Sequence, residues 1–193
     1  DGQMESKTLA DGTSKSWYKN GNMESETLAD GTERTWHYDG KLKSERLTDG
    51  TSKSWYKNGN MESETLADGT QRTFDRYGRL ESEILPDGTT RNWDTESWFS
   101  DSKYLASEKL PDGTSKSYYQ NGQLKSERLA DGTSKSWYDD GILASEKLPD
   151  GTSKRWDCYG RLESETLADG TVKFADGRVR LPDGSIKDLD GVI

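Results

Sequence analysis

Between its turns the chain alternates side-chain character residue by residue. Ser14-Lys15-Ser16-Trp17-Tyr18 leads into Asn20-Gly21, and Met23-Glu24-Ser25-Glu26-Thr27-Leu28 leads into Ala29-Asp30-Gly31. A period of two marks a strand with two different faces. The pattern then repeats. Asp11-Gly12, Asp30-Gly31, Asp49-Gly50, Asp68-Gly69 and Asp87-Gly88 fall nineteen residues apart, and the beat resumes at Asp112-Gly113 through Asp169-Gly170. A second glycine falls midway, at Gly21, Gly40, Gly59, Gly78, Gly122, Gly141 and Gly160. Each unit therefore predicts two strands of about seven residues and two turns, joined as an antiparallel meander.

The turn residues suggest different turns at the two ends. Asn20-Gly21 predicts a two-residue type I′ turn, with positive φ at both positions. Ala29-Asp30-Gly31, with proline first at Pro86, Pro111 and Pro149, predicts a type I turn closed by a left-handed glycine. One two-residue and one three-residue loop give a period of nineteen, which keeps every unit's side chains on the same face. The resulting register sets Lys15 opposite Glu26, and Glu26 opposite Arg34. On the same face it sets Trp17 opposite Glu24. On the other face it sets Ser16 opposite Ser25 and Tyr18 opposite Met23.

Continued along the chain, this register predicts a ladder of alternating sign: Lys15, Glu26, Arg34, Glu45, Lys53 and Glu64, exposed and contributing roughly 0.2–1 kcal/mol per pair. A row of serines marks the opposite face. They are not nucleophiles, because each would need its own base and the chain has one histidine, His37, at a position that holds tyrosine in other units. No catalytic residue is expected.

The beat breaks once. Six residues are inserted between Trp93 and Leu105, predicting a lengthened hairpin over 93–105 with Trp98 and Phe99 at its tip. This tip is a candidate binding site. From Asp169 the glycines close to every seven residues, so residues 1–168 form the array and 169–193 its shortened C-terminal cap.

Composition narrows the picture. Apolar residues are 28% and charged residues 33%, too few apolar groups for a second layer of structure. Aromatics at 10% recur at fixed places, so order rests on backbone ladders and cross-strand pairs. The net charge of −9 excludes the basic footprint of a nucleic-acid binder. No apolar run is long enough for membrane insertion as a helix. Cys158 is the single cysteine, which excludes an internal disulfide. The Asp-Gly pairs are explained as turns and call for no metal, and no cofactor is expected. The chain starts in mid-repeat, which is read as a piece of a larger protein.

Trp17-Tyr18-Lys19-Asn20-Gly21-Asn22-Met23-Glu24-Ser25-Glu26 and Tyr118-Tyr119-Gln120-Asn121-Gly122-Gln123-Leu124-Lys125-Ser126-Glu127 resemble the short bacterial variant of the MORN repeat. The resemblance implies an antiparallel hairpin meander and a scaffold or interaction role without enzymatic residues. The chain departs from that family in its Asp-Gly-Thr turn. Phe74-Asp75-Arg76-Tyr77-Gly78-Arg79-Leu80 and Trp156-Asp157-Cys158-Tyr159-Gly160-Arg161-Leu162 are similar to the YD repeats of Rhs-type toxin shells. The Asp-Gly-Thr rhythm also resembles the G-box domain of centriole assembly proteins, a single exposed sheet that binds a partner peptide.

The fold expected is all-β: roughly twenty strands in one continuous, twisted, single-layer meander about 90 Å long at ~4.8 Å per strand. The alternative is a β-hairpin solenoid with the tryptophans inside. The function expected is a structural or protein-interaction module, on a bacterial surface or in a filament or scaffold. Its partners are a protein or a second copy, engaged through sheet edges. The alternatives are an Rhs-type shell segment and a glycan- or cell-wall-binding module. The latter would use the recurring Trp17, Trp36, Trp55, Trp93, Trp137 and Trp156, with stacking resembling that of choline-binding repeats.

Overall fold

A computed structural model describes residues 6–94 and 103–188. The chain divides into two compact units, 1–96 and 97–193. The first contains β1 (Ser6–Thr8), β2 (Ser14–Trp17), β3 (Met23–Thr27), β4 (Glu33–Trp36), β5 (Leu42–Arg46), β6 (Ser52–Trp55), β7 (Met61–Thr65), β8 (Gln71–Phe74), β9 (Leu80–Ile84) and β10 (Thr90–Asp94). The second contains β11 (Tyr104–Lys109), β12 (Ser115–Tyr118), β13 (Leu124–Arg128), β14 (Ser134–Trp137), β15 (Leu143–Lys147), β16 (Ser153–Trp156), β17 (Leu162–Thr166), β18 (Val172–Phe174), β19 (Val179–Arg180) and β20 (Ile186–Lys187).

Within each unit every strand pairs antiparallel with its chain neighbours. Among the described residues no strand pairs with a non-neighbour, so each unit is an open hairpin meander. The strands are shorter than the seven residues expected, at four or five in most units, because the turns consume more of the repeat. Val172 is the one buried apolar residue, and no side chain is fully buried among the described residues. The described tryptophans are half-buried. The tip residues Trp98 and Phe99, and most of the lengthened hairpin, lie outside the described residues.

The turn at Asn20-Gly21 differs from expectation. The Tyr18 N–H donates to the Asn22 carbonyl at 2.8 Å, and the Gly21 N–H donates to the Tyr18 carbonyl at 2.8 Å. The same pair of bonds closes Leu28–Thr32, at 2.8 and 2.9 Å. Gly21 has φ of 87° and Gly31 of 91°, while among the described residues no non-glycine has positive φ. Both turns are therefore three-residue loops of a type I turn closed by a left-handed glycine. Asn20 sits where Asp30 sits, and its side chain accepts from the Asn22 N–H at 3.1 Å, as Asp30 accepts from Thr32 at 2.8 Å.

Two three-residue loops alone would shift the register by one residue per repeat and turn each unit over. A β-bulge prevents this. Ser16 pairs with Ser25 but Trp17 pairs with Met23, leaving Glu24 as the extra residue. The same shift recurs in the corresponding hairpins of both units. Trp17 therefore faces Met23 and not Glu24, and Tyr18 meets Asn22 and not Met23. Beyond the bulge the expected register holds: Lys15 pairs with Glu26, Glu26 with Arg34, Arg34 with Glu45, and Lys53 with both Glu45 and Glu64.

Candidate interaction surfaces

Alternation and pairing give each unit two unlike faces. One carries the charge ladder. Lys15 Nζ lies 2.8 Å from Glu26, and Arg34 lies 3.7 Å from Glu26 and 2.8 Å from Glu45. Lys53 lies 3.9 Å from Glu64, which also holds Arg72 at 3.1 Å. Arg72 reaches Glu83 at 2.9 Å, with Arg91 on its other oxygen at 3.5 Å. The second unit continues with Lys116–Glu127, Lys135–Glu146 and Lys154–Glu165, at 3.5, 3.1 and 3.4 Å. The acids are more sheltered than expected. Glu26 and Glu83 are buried at 9% exposure, because cation stems on both flanking strands cover them.

Beside the ladder runs an apolar row. Trp17 faces Met23, Trp36 faces Leu42, Trp55 faces Met61 and Phe74 faces Leu80. In the second unit Tyr118 faces Leu124, Trp137 faces Leu143 and Trp156 faces Leu162. Successive tryptophans stand two strands apart, with a methionine or leucine strand between, which does not make a converging cage. Trp93 lies on β10 at the equivalent position and is half-buried.

The other face is polar. Ser16 and Ser25 share a hydrogen bond of 2.8 Å, and the row continues with Thr35–Ser44 at 2.6 Å and Ser54–Ser63 at 2.8 Å. In the second unit Ser117–Ser126 and Ser136–Ser145 each stand at 2.7 Å. Paired hydroxyls without an adjacent base are structural links. Glu24 lies on this side, accepting from Ser16 at 3.3 Å.

Two further rows tie successive repeats together, and sequence reasoning missed both. The Tyr18 hydroxyl donates to the Trp36 carbonyl at 2.7 Å, Tyr56 to Phe74 at 2.8 Å, Tyr119 to Trp137 at 2.7 Å and Tyr138 to Trp156 at 2.8 Å. His37 takes the same place, its Nε2 3.1 Å from the Trp55 carbonyl. The tyrosine-for-histidine exchange was the available signal, since both residues put a polar atom at the end of a ring. Along the turn edge, Asn20 and Asn22 donate to the Tyr38 carbonyl at 2.8 and 2.9 Å, and Asn58 and Asn60 to Arg76 at 2.6 and 2.8 Å.

The turn carboxylates are held ionised. The Thr13 N–H lowers the Asp11 pKa, and Thr32, Thr51, Thr70, Thr89, Thr133 and Thr171 do the same for Asp30, Asp49, Asp68, Asp87, Asp131 and Asp169. For Asp75, burial pushes the pKa up, but the Arg79 and Tyr77 N–H groups and the Arg79 guanidinium at 2.6 Å outweigh it. Among the described residues no cluster of three metal-ligating side chains occurs, and no helix is long and apolar enough to cross a membrane.

Comparison with known proteins places the hairpins. No curated protein sequence matches the chain. Solved structures with similar stretches include the G-box domain of the microcephaly protein CPAP, 16% identical over 94% of this chain and 95% of that one, at a TM-score of 0.33. The TCP10 domain of Danio rerio CPAP is 19% identical over 94% and 90%, at 0.30. The SAS-4 TCP domain of Drosophila melanogaster, in complex with a proline-rich motif of Ana2, is 22% identical over 94% and 86%, at 0.25. The model of the MORN repeat variant matches residues 10–28, 29–49, 48–66, 111–129 and 130–148. These matched segments span both units and follow the hairpin period described above, so the chain is a MORN-like repeat protein.

Proposed function

We propose that the chain is a non-enzymatic structural and protein-interaction module, part of a larger bacterial surface, filament or scaffold protein, which engages a protein partner or a second copy of itself. The observation that carries this reading is the open meander. Each strand pairs with its chain neighbours alone among the described residues, so both faces of each unit present the same side chains, strand after strand, to solvent. Such a surface suits an extended partner better than a small molecule. An added strand is a second route of engagement. At β1, whose three residues are exposed, Lys7 faces the like-charged Lys15, so an incoming strand with an acidic residue opposite Lys7 would offset that repulsion. Sedimentation over a wide concentration range tests self-association: a mass that rises with concentration supports it, and a strict monomer at the highest concentration contradicts it.

A further inference from the structure

The serine faces of the two units share one backbone plan and differ in charge. In the second unit the outer row on this face reads Lys109, Ser115, Arg128, Ser134, Lys147 and Ser153 across successive strands. A cation therefore stands on every second strand, roughly 10 Å from the next at ~4.8 Å per strand. Arg155 lies in the serine row itself, opposite Ser145. Lys125 occupies the bulge position that holds Glu24 in the first unit, and its Nζ lies 5.7 Å from the centre of the Tyr119 ring. All five cations are exposed, and none has an ion-pair partner among the described residues, whereas Lys116, Lys135 and Lys154 on the opposite face are each paired. Glu163, at the Glu24 position, is the acid among these rows. The nearby turn carboxylates Asp131 and Asp150 are engaged by the Thr133 and Thr152 N–H groups, at 2.7 and 2.8 Å.

The first unit shows the contrast. Its outer row carries Glu33 directly opposite Arg46, which cancels, and its bulge positions carry Glu24, Lys43, Glu62 and Glu81. The positive strip is therefore specific to the second unit, within a chain whose net charge is −9.

The strip also has shape. An open depression of about 330 Å³ is lined by Ser117, Ser126, Ser136, Ser145 and Arg128, with Lys116, Glu127 and Lys135 of the same strands also contributing to its lining. Small side chains lower the floor while long cations stand beside it. The floor hydroxyls are bonded to one another, yet each pair retains one O–H donor and further acceptor lone pairs toward a backbone laid over it.

We propose that the serine face of the second unit binds an acidic, extended peptide segment, laid across the strands with its carboxylates on Lys109, Arg128 and Lys147. The proposal rests on the interaction-module reading and gives that module's partner a chemistry. Cation spacing favours peptide over nucleic acid. One strand of a duplex places a phosphate about every 3.4 Å along its axis, whereas acidic residues three apart on an extended polyproline-II segment, which turns once every three residues, share one side and stand roughly 9 Å apart at ~3.1 Å per residue. The acidic remainder of the chain also repels a dense polyanion more than a sparsely charged segment.

The test uses the full chain and a fluorescein-labelled peptide repeating Gly-Ser-Glu four times, followed by fluorescence anisotropy. Saturable binding that weakens with salt is expected. The exchange Arg128→Glu with Lys147→Glu should weaken it ~tenfold or more, since it replaces two attractions by two repulsions. The matched first-unit exchange, Lys43→Glu with Arg46→Glu, should leave it unchanged. Thermal melting checks that each variant folds, and Arg128→Gln with Lys147→Gln, expected to weaken binding less, replaces the reversal if it does not. No saturable binding at low salt, equal binding of a Gly-Ser-Gln peptide, or equal loss in both exchanges overturns the proposal. Tighter binding of an oligothymidylate than of the peptide overturns the choice of partner. Concentration-dependent sedimentation that persists while the peptide fails to bind would sink this inference and leave the module reading standing.

Discussion

Replacing Glu83 by glutamine isolates the part of the charge ladder that the fold shelters best. Glu83 accepts from Arg72 Nε at 2.9 Å and lies 3.5 Å from Arg91 Nη1, and its side chain is 11% exposed. A hydrogen bond to a charged group is worth about 1.5–3 kcal/mol when the partner is left behind. Here the arginines are 34% and 36% exposed, so solvent screens them and the cost moves toward the range of surface pairs, about 0.2–1 kcal/mol each. Glutamine keeps one acceptor oxygen and loses the charge shared by two guanidinium groups. The loss should be about 1–2 kcal/mol, between those limits. Glu146 provides the comparison: it meets Lys135 at 3.1 Å and is 28% exposed, so Glu146→Gln should cost under ~1 kcal/mol. Urea unfolding followed by tryptophan fluorescence, at low and high salt, reads both. The Glu83 loss should be larger and less dependent on salt, because burial reduces screening. Equal losses at the two positions, or a loss at Glu83 that salt abolishes, would refute the claim that flanking cation stems shelter the ladder.

Other consequences follow from the same geometry. Lys19 occupies the loop place filled by Pro86, Pro111 and Pro149 elsewhere, so Lys19→Pro should be neutral or stabilise by ~0.4–1 kcal/mol in urea unfolding; a type I′ turn would make it clearly destabilising. Tyr138→Phe removes the 2.8 Å bond to the Trp156 carbonyl and should cost ~0.5–1.5 kcal/mol, whereas Tyr159→Phe, at a residue 75% exposed, should be silent in the same assay. The turn aspartates have folded pKa values lowered from 3.8, led by the threonine N–H groups. Their contribution is present above 3.8 and lost as pH falls through the lower folded values. Thermal melting should show stability dropping at that acid end, and Asp131→Asn, which keeps an acceptor as Asn20 does, should blunt the drop.

The register was legible because the charges declare it: only one pairing sets Lys15, Glu26, Arg34 and Glu45 in alternation. The turn at Asn20-Gly21 was not. A two-residue loop and a three-residue loop followed by a bulge bring Lys15 to the same partner, so the nineteen-residue period cannot separate them. The difference shows only near the turn, where Trp17 meets Met23 and Glu24 is left over. Serine pairing was also legible, since Ser16 and Ser25 sit symmetrically in the register. The Tyr18–Trp36 link was not, because it joins residues eighteen apart on strands that are not neighbours, beyond what alternation or turn chemistry specifies. The contrast between the serine faces was visible in the sequence, as Lys109, Arg128 and Lys147 against Glu33 and Arg46, but gained meaning only once pairing placed each row.

Every surface described here depends on which residues share a face, and cross-strand disulfides measure that directly. In a Cys158→Ser background, Ser117→Cys with Ser126→Cys should close a disulfide readily on mild oxidation, because the two hydroxyl oxygens already stand 2.7 Å apart. Ser117→Cys with Glu127→Cys, one residue out of step and on the opposite face, should stay reduced. Closure of the second pair as fast as the first, or a first pair that stays open, would contradict the register and the two faces built on it.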